Sequence, residues 1–153
     1  MTTDELNFFC DQIRNLPCPV CSNAAIKLNA TIYGTVMSVG VLTFTNKDIL
    51  IACPLCLDVT NQDASKRTKL LGWWALPWGV IRTIQIIKMN KRAQKQHNIL
   101  QANYALNSFV LNNETIFNNA KDDKHRMMEI IRTKRIASSE ILSTWYWYWK
   151  QKK

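Results

Sequence analysis

Residues 18–56 read CPVCSNAAIKLNATIYGTVMSVGVLTFTNKDILIACPLC. The stretch opens on Cys18-Pro-Val-Cys21 and closes on Cys53-Pro-Leu-Cys56, with 31 residues between the pairs. Two residues between cysteines let both sulfurs of a pair reach one ion from a single tight turn, and two such turns complete a tetrahedral four-sulfur shell. Between the pairs, 26–29, 31–33 and 36–45 are rich in β-branched residues and punctuated by Gly34 and Gly40, and Ile-Leu-Ile-Ala at 49–52 runs into the second pair. This pattern predicts a three-stranded sheet framed by two metal knuckles. The span from Leu28 to Asn46 carries no charge. Its Thr, Ser and Asn content and its place inside the cysteine frame favour strands over a membrane-spanning helix.

Four thiolates around one ion leave no open coordination position, so the expected role is structural and Zn2+ is the expected ion. Such sites bind with apparent energies on the order of 10–16 kcal/mol, enough to decide whether a small lobe folds. Iron in a rubredoxin-like site is an alternative, but those knuckles carry Gly after the second Cys, where this chain has Ser22 and Leu57. A dithiol redox role is a more distant alternative. It needs one pair at a strand-to-helix junction, and two matched pairs fit it poorly.

Working outward, Thr2 and Glu5 have the spacing of a capping box, and Leu6, Phe9, Cys10 and Ile13 recur at helical spacing, so 4–14 is an expected amphipathic helix ended by Pro17. Cys10 falls on its apolar face and reads as a core residue. Met-Thr-Thr-Asp-Glu lacks the basic and apolar regions of a secretory signal, so a cytoplasmic, reducing setting is expected, where paired cysteines bind metal more often than they form disulfides.

The 153 residues carry 20 bases and 11 acids, a formal charge of +9. Residues 1–57 hold three bases and four acids, so the remaining residues hold 17 bases and seven acids. Between Ala64 and Asn113 there are eight bases and no acid. Such a surface attracts phosphates of lipid or nucleic acid. That stretch encloses Leu-Leu-Gly-Trp-Trp-Ala-Leu-Pro-Trp-Gly-Val-Ile at 70–81, whose twelve uncharged residues are too few to span a ~30 Å hydrocarbon core. Bases on both sides also oppose a single span. Trp73, Trp74 and Trp78, flanked by Lys66, Arg67, Lys69, Lys88, Lys91 and Arg92, have the chemistry of an in-plane or re-entrant hairpin at the cytoplasmic face of an anionic membrane. The competing reading packs the same tryptophans into a soluble core. The remaining tryptophans, Trp145, Trp147 and Trp149, precede Lys150, Lys152 and Lys153 and suit a partner-binding or base-stacking surface.

Cys18–Cys21, a β-rich spacer, Cys53–Cys56 and then Gly72-Trp73-Trp74-x-x-Pro77-Trp78-Gly79 with Arg82-Thr83 together resemble a group of uncharacterised bacterial zinc-ribbon proteins with a Gly-Trp-Trp-x-x-Pro-Trp-Gly-type motif after the ribbon. Phe109-Val110 followed by Asn112 or Asn113 is similar to the helix that follows in that group. The resemblance covers roughly residues 18–131. It implies a zinc ribbon joined to an apolar segment and implies no activity.

The expected architecture is therefore α+β: an N-terminal helix (1–16), a zinc ribbon (17–62), a Trp-rich apolar hairpin with basic flanks (66–95) and a helical region with an aromatic and basic tail (96–153). Helices are expected over 91–111, 113–121 and about 123–144. His97 and His125 stand alone in basic sequence, and no phosphate loop, nucleophile elbow or two-His zinc helix occurs. The expected function is a non-enzymatic interaction module at a membrane surface, docking an unidentified protein partner and taking no small-molecule substrate. Nucleic-acid binding is the main alternative.

Overall fold

The computed structural model describes residues 2–96, 99, 101–121 and 123–133, and the backbone of 138–143. The protein is mixed α and β. In chain order its elements are α1 (Thr3–Arg14), β1 (Asn29–Val39), β2 (Leu42–Ala52), α2 (Pro54–Leu71), α3 (Trp78–Gln96), α4 (Tyr104–Asn112), α5 (Glu114–Asn118), α6 (Lys124–Thr133) and β3 (Ser138–Ser143). The chain forms two compact units. One comprises Met1–Thr31, Ile49–Asp58 and Gln94–Ile136, the other Ile32–Asp48, Val59–Ala93 and Ala137–Lys153.

The first unit has an apolar core. α1 starts as its sequence dictates: the Thr2 side chain accepts from the Glu5 N–H while the Glu5 side chain accepts from the Thr2 N–H. Phe9, Cys10 and Ile13 are buried on one face of α1. Phe9, Phe109 and Phe117 form a ring cluster with centroids about 6 Å apart, joined in the core by Leu28, Leu57, Leu106 and Met127. Two asparagines fix the start of β1 to the start of α4. Asn29 Oδ1 accepts from the Asn103 N–H at 3.1 Å, and Asn103 Nδ2 donates to the Ala30 carbonyl at 2.6 Å. Asn103 Oδ1 also caps α4 through the Leu106 N–H. That cap is why the expected helix over 91–111 is divided, with α3 ending at Gln96 and α4 opening at Tyr104.

The second unit is built the other way round. Among its described residues the buried apolar side chains are few and mostly small: Val36, Ala64, Ala75 and Ile86. Beside them are buried Ser38, Thr43, Thr45, Asn61, Thr68, Thr83 and Asn90. β1 lies along α2 and α3 through polar contacts at every second residue. The Gly34 N–H and carbonyl bond Asn90 Oδ1 and Nδ2, each at 2.9 Å. The Val36 N–H donates to Thr68 Oγ1 at 3.1 Å, and Ser38 Oγ donates to the Gly72 carbonyl at 2.8 Å. Glycines make this approach feasible. A Cβ on Gly79 would lie 2.6 Å from the Gly72 carbonyl oxygen and 2.8 Å from Ser38 Oγ, and one on Gly72 would overlap Thr83 Oγ1. Of the 19 exposed large hydrophobic residues among those described, 13 belong to this unit.

The sheet differs from expectation in composition. Residues 18–56 supply two long strands, β1 and β2, joined at Gly40–Val41, where Gly40 takes the left-handed conformation (φ +58°). The third strand is β3, from the far end of the chain, in the sheet order β1-β2-β3. It pairs antiparallel with β2, with Leu42 opposite Ser143 and Lys47 opposite Ser138. The helix expected over 123–144 therefore stops at Thr133. Residues 18–56 supply no third strand because β1 runs unbroken through Gly34 and β2 takes in 49–52.

Asn90 satisfies both backbone groups of Gly34 inside the second unit, so Asn90→Ala should destabilise the protein by ~2–4 kcal/mol, whereas exposed Lys91→Ala should change little. Urea unfolding of the two variants checks this. An Asn90→Ala midpoint equal to that of the unsubstituted protein would contradict the polar docking of β1.

Candidate metal centre

Cys18, Cys21, Cys53 and Cys56 converge. Their sulfurs all lie within 4.8 Å of one another, and Cys21 Sγ and Cys53 Sγ are 3.6 Å apart. Sulfurs bound to a tetrahedral ion at about 2.3 Å are ~3.8 Å apart, so this cluster can hold a metal ion. All four residues belong to the first unit.

The two pairs reach the cluster by different local structures. The first lies in a turn between α1 and β1: the Ser22 N–H donates to the Cys18 carbonyl at 2.8 Å, and the Cys18 N–H to the Asn23 carbonyl at 2.9 Å. Ser22 adopts φ +60°, the left-handed conformation that favours glycine. The turn therefore has the glycine-type backbone although the sequence supplies serine. The second pair stands where β2 becomes α2. Pro54 takes the first helical position, which needs no N–H, and the Leu57 N–H closes the first turn onto the Cys53 carbonyl at 3.0 Å. Leu57 is helical and fully buried, so no glycine is required after Cys56. A strand-to-helix junction is also where a redox dithiol would sit, but here the first pair faces the second across the same cluster.

The electrostatics suit a cation. Burial pushes the Cys18 thiol up, yet N–H groups of Cys21, Cys53 and Val20 directed at its sulfur outweigh that and bring it down to about 6. The Cys53 N–H to Cys18 Sγ distance is 3.4 Å. Burial and the neighbouring sulfurs hold the Cys56 thiol well above its ordinary value, and burial likewise raises Cys53. Several thiolates this close repel one another, and a bound divalent ion removes that penalty. Cys10 lies outside the cluster. It is buried, its sulfur donates to Asn107 Oδ1 at 3.2 Å, and burial raises it to about 11, as suits a core residue.

The other residues singled out by sequence fall as follows. Trp73 and Trp74 are exposed and Trp78 is half-buried. The indole N–H groups of Trp73 and Trp74 donate to the Lys69 and Leu70 carbonyls at 2.7 and 3.2 Å, satisfying acceptors that the end of α2 leaves open. Lys66, Arg67, Lys69, Lys88, Lys91 and Arg92 are all exposed. Trp145, Trp147 and Trp149 lie outside the described residues, as does His97, and His125 is exposed. Among the described residues no helix is long and apolar enough to cross a membrane. Ser22, Asn29 and Asn103, which shape and anchor the first unit, were not marked by any sequence motif. The chain matches no family model, no curated protein and no solved structure.

With Cys18 ionised above about pH 6 and Cys53 and Cys56 held protonated, metal uptake at neutral pH should release protons from Cys53 and Cys56, and affinity should rise with pH. Calorimetry of metal binding in buffers of different ionisation enthalpy reads both quantities. Binding without proton release would contradict a thiolate shell.

Proposed function

We propose that the protein is a non-enzymatic zinc-ribbon module, held folded by a structural Zn2+ on Cys18, Cys21, Cys53 and Cys56, that sits at the cytoplasmic face of an anionic membrane and docks a protein partner there. The observation that carries the reading is the exposure of Trp73, Trp74 and Leu76 in the turn between two helices, within the stretch 64–113 that holds bases and no acid. Trp favours the headgroup level, and each base near an anionic leaflet contributes ~1 kcal/mol. Zinc accounts for a donor set made wholly of sulfur at tetrahedral spacing. The resemblance to bacterial zinc-ribbon proteins bearing a Gly-Trp-Trp-x-x-Pro-Trp-Gly-type motif agrees with the reading.

The +9 charge also favours nucleic acid. Against that partner, residues 1–57, which include all four clustered cysteines, hold fewer bases than acids.

Fractionation of cells expressing the tagged protein tests the reading. The intact protein should be recovered with membranes, and Trp73→Ala/Trp74→Ala should move most of it to the soluble fraction without altering its metal content. Equal membrane recovery of the two proteins would reject the tryptophan turn as the anchor. A soluble intact protein that shifts DNA or RNA with a steep salt dependence would establish nucleic acid instead.

A further inference from the structure

We propose that the membrane-contacting element is a composite tip of two loops, in which the β1–β2 turn (Val39, Val41, Leu42) enters an anionic leaflet beside the α2–α3 turn (Trp74, Leu76) to interfacial depth. The inference rests on the membrane reading above and adds a second inserting loop that carries no tryptophan.

The two turns are held at one end of the second unit. Ser38, just before the β1–β2 turn, donates to the carbonyl of Gly72, the first residue after α2, at 2.8 Å. Ser38 Oγ also crowds Gly79, in the first turn of α3, where a Cβ would lie only 2.8 Å from it. Across the β-turn, Ser38 Oγ and Thr43 Oγ1 are 3.4 Å apart. Ser38 and Thr43 are thus buried at this end, while four apolar residues of the two turns are exposed. Val39 is 60 % exposed, Val41 48 %, Trp74 73 % and Leu76 74 %. An apolar end over an interior in which Ser38 is hydrogen-bonded to Gly72 suits an apolar medium.

Charge placement selects a lipid surface and sets the depth. The β-turn sits within 28–46 and the helical turn within 70–81, two uncharged stretches. The first charges on the helices, Lys69 and Arg82, lie about one turn, ~5 Å, behind the α2–α3 turn. On β2 the first charge is Lys47, six residues and ~20 Å beyond Val41. The helical collar is therefore the limiting one. It places bases at the phosphate level once the tip has entered by roughly one helical turn, which is the depth of interfacial binding. Lys66, Arg67, Lys69 and Arg82, all within about two helical turns of the α2–α3 turn and with no acid among them, match an anionic leaflet.

The test is flotation of the full-length metal-loaded protein with vesicles of phosphatidylcholine alone and of equimolar phosphatidylcholine and phosphatidylserine. The protein should float with the anionic vesicles. Val41→Asp should weaken partitioning roughly tenfold or more, and Val41→Trp should strengthen it. Both variants should keep the metal content and unfolding midpoint of the unsubstituted protein, since Val41 is exposed. If Val41→Asp floats normally while Trp74→Asp does not, the composite tip is overturned and the tryptophan anchor stands. If the unsubstituted protein floats with neither vesicle, both fall. If it is a dimer by sedimentation that Val41→Asp converts to a monomer, the tip is a self-association surface and the proposal is overturned.

Discussion

Four cysteine sulfurs held within 4.8 Å of one another are the constraint on which the first unit depends. The ligands come from two of that unit's three chain segments, Met1–Thr31 and Ile49–Asp58. The segment between them is the paired β1 and β2, whose pairing and apolar core bring its ends together, so what remains to be offset is the chemistry of four sulfurs in one place. Protonated thiols contribute little to it, and thiolates without a cation would repel. A metal ion bound there, as proposed, would reverse the balance. Such an ion would also tie the turn at Cys18–Ser22 to the start of α2, which Cys53 directly precedes.

The two units show opposite solutions to burial. The first buries a phenylalanine cluster and aliphatic side chains, the ordinary driving force for folding in water. Among its described residues the second buries serine, threonine and asparagine beside glycine, alanine, Val36 and Ile86, and leaves 13 large hydrophobic residues exposed. Close approach of small residues, with polar side chains bonding backbone groups, is a packing style favoured where the surroundings are themselves apolar. In the proposed setting, the helical turn and the β-turn exchange water for the apolar edge of a leaflet. The collar of bases then limits how far they go.

Much of this was legible in the sequence where the signal is local. The capping box at Thr2 and Glu5, the apolar stripe of α1 and the two cysteine pairs depend on neighbours within four residues, and each appears where the sequence puts it. Non-local choices were not legible. Ser138–Ser143 follows a helical apolar pattern, but pairing with β2 makes it a strand. Asn103 divides a helical stretch by capping α4 and bonding β1, a partnership invisible without the fold. Pro54, directly after Cys53, opens α2 where the sequence suggests a second knuckle at the end of a sheet. The exposed β-turn is not legible either, because Val39, Val41 and Leu42 have the β-branched and aliphatic composition of a strand whether or not anything covers them.

X-ray absorption at the edge of the bound metal in the purified protein measures the central claim directly. The account predicts a shell of four sulfurs at about 2.3 Å with no light-atom ligand. A shell containing nitrogen or oxygen, or fewer than four sulfurs, would contradict it.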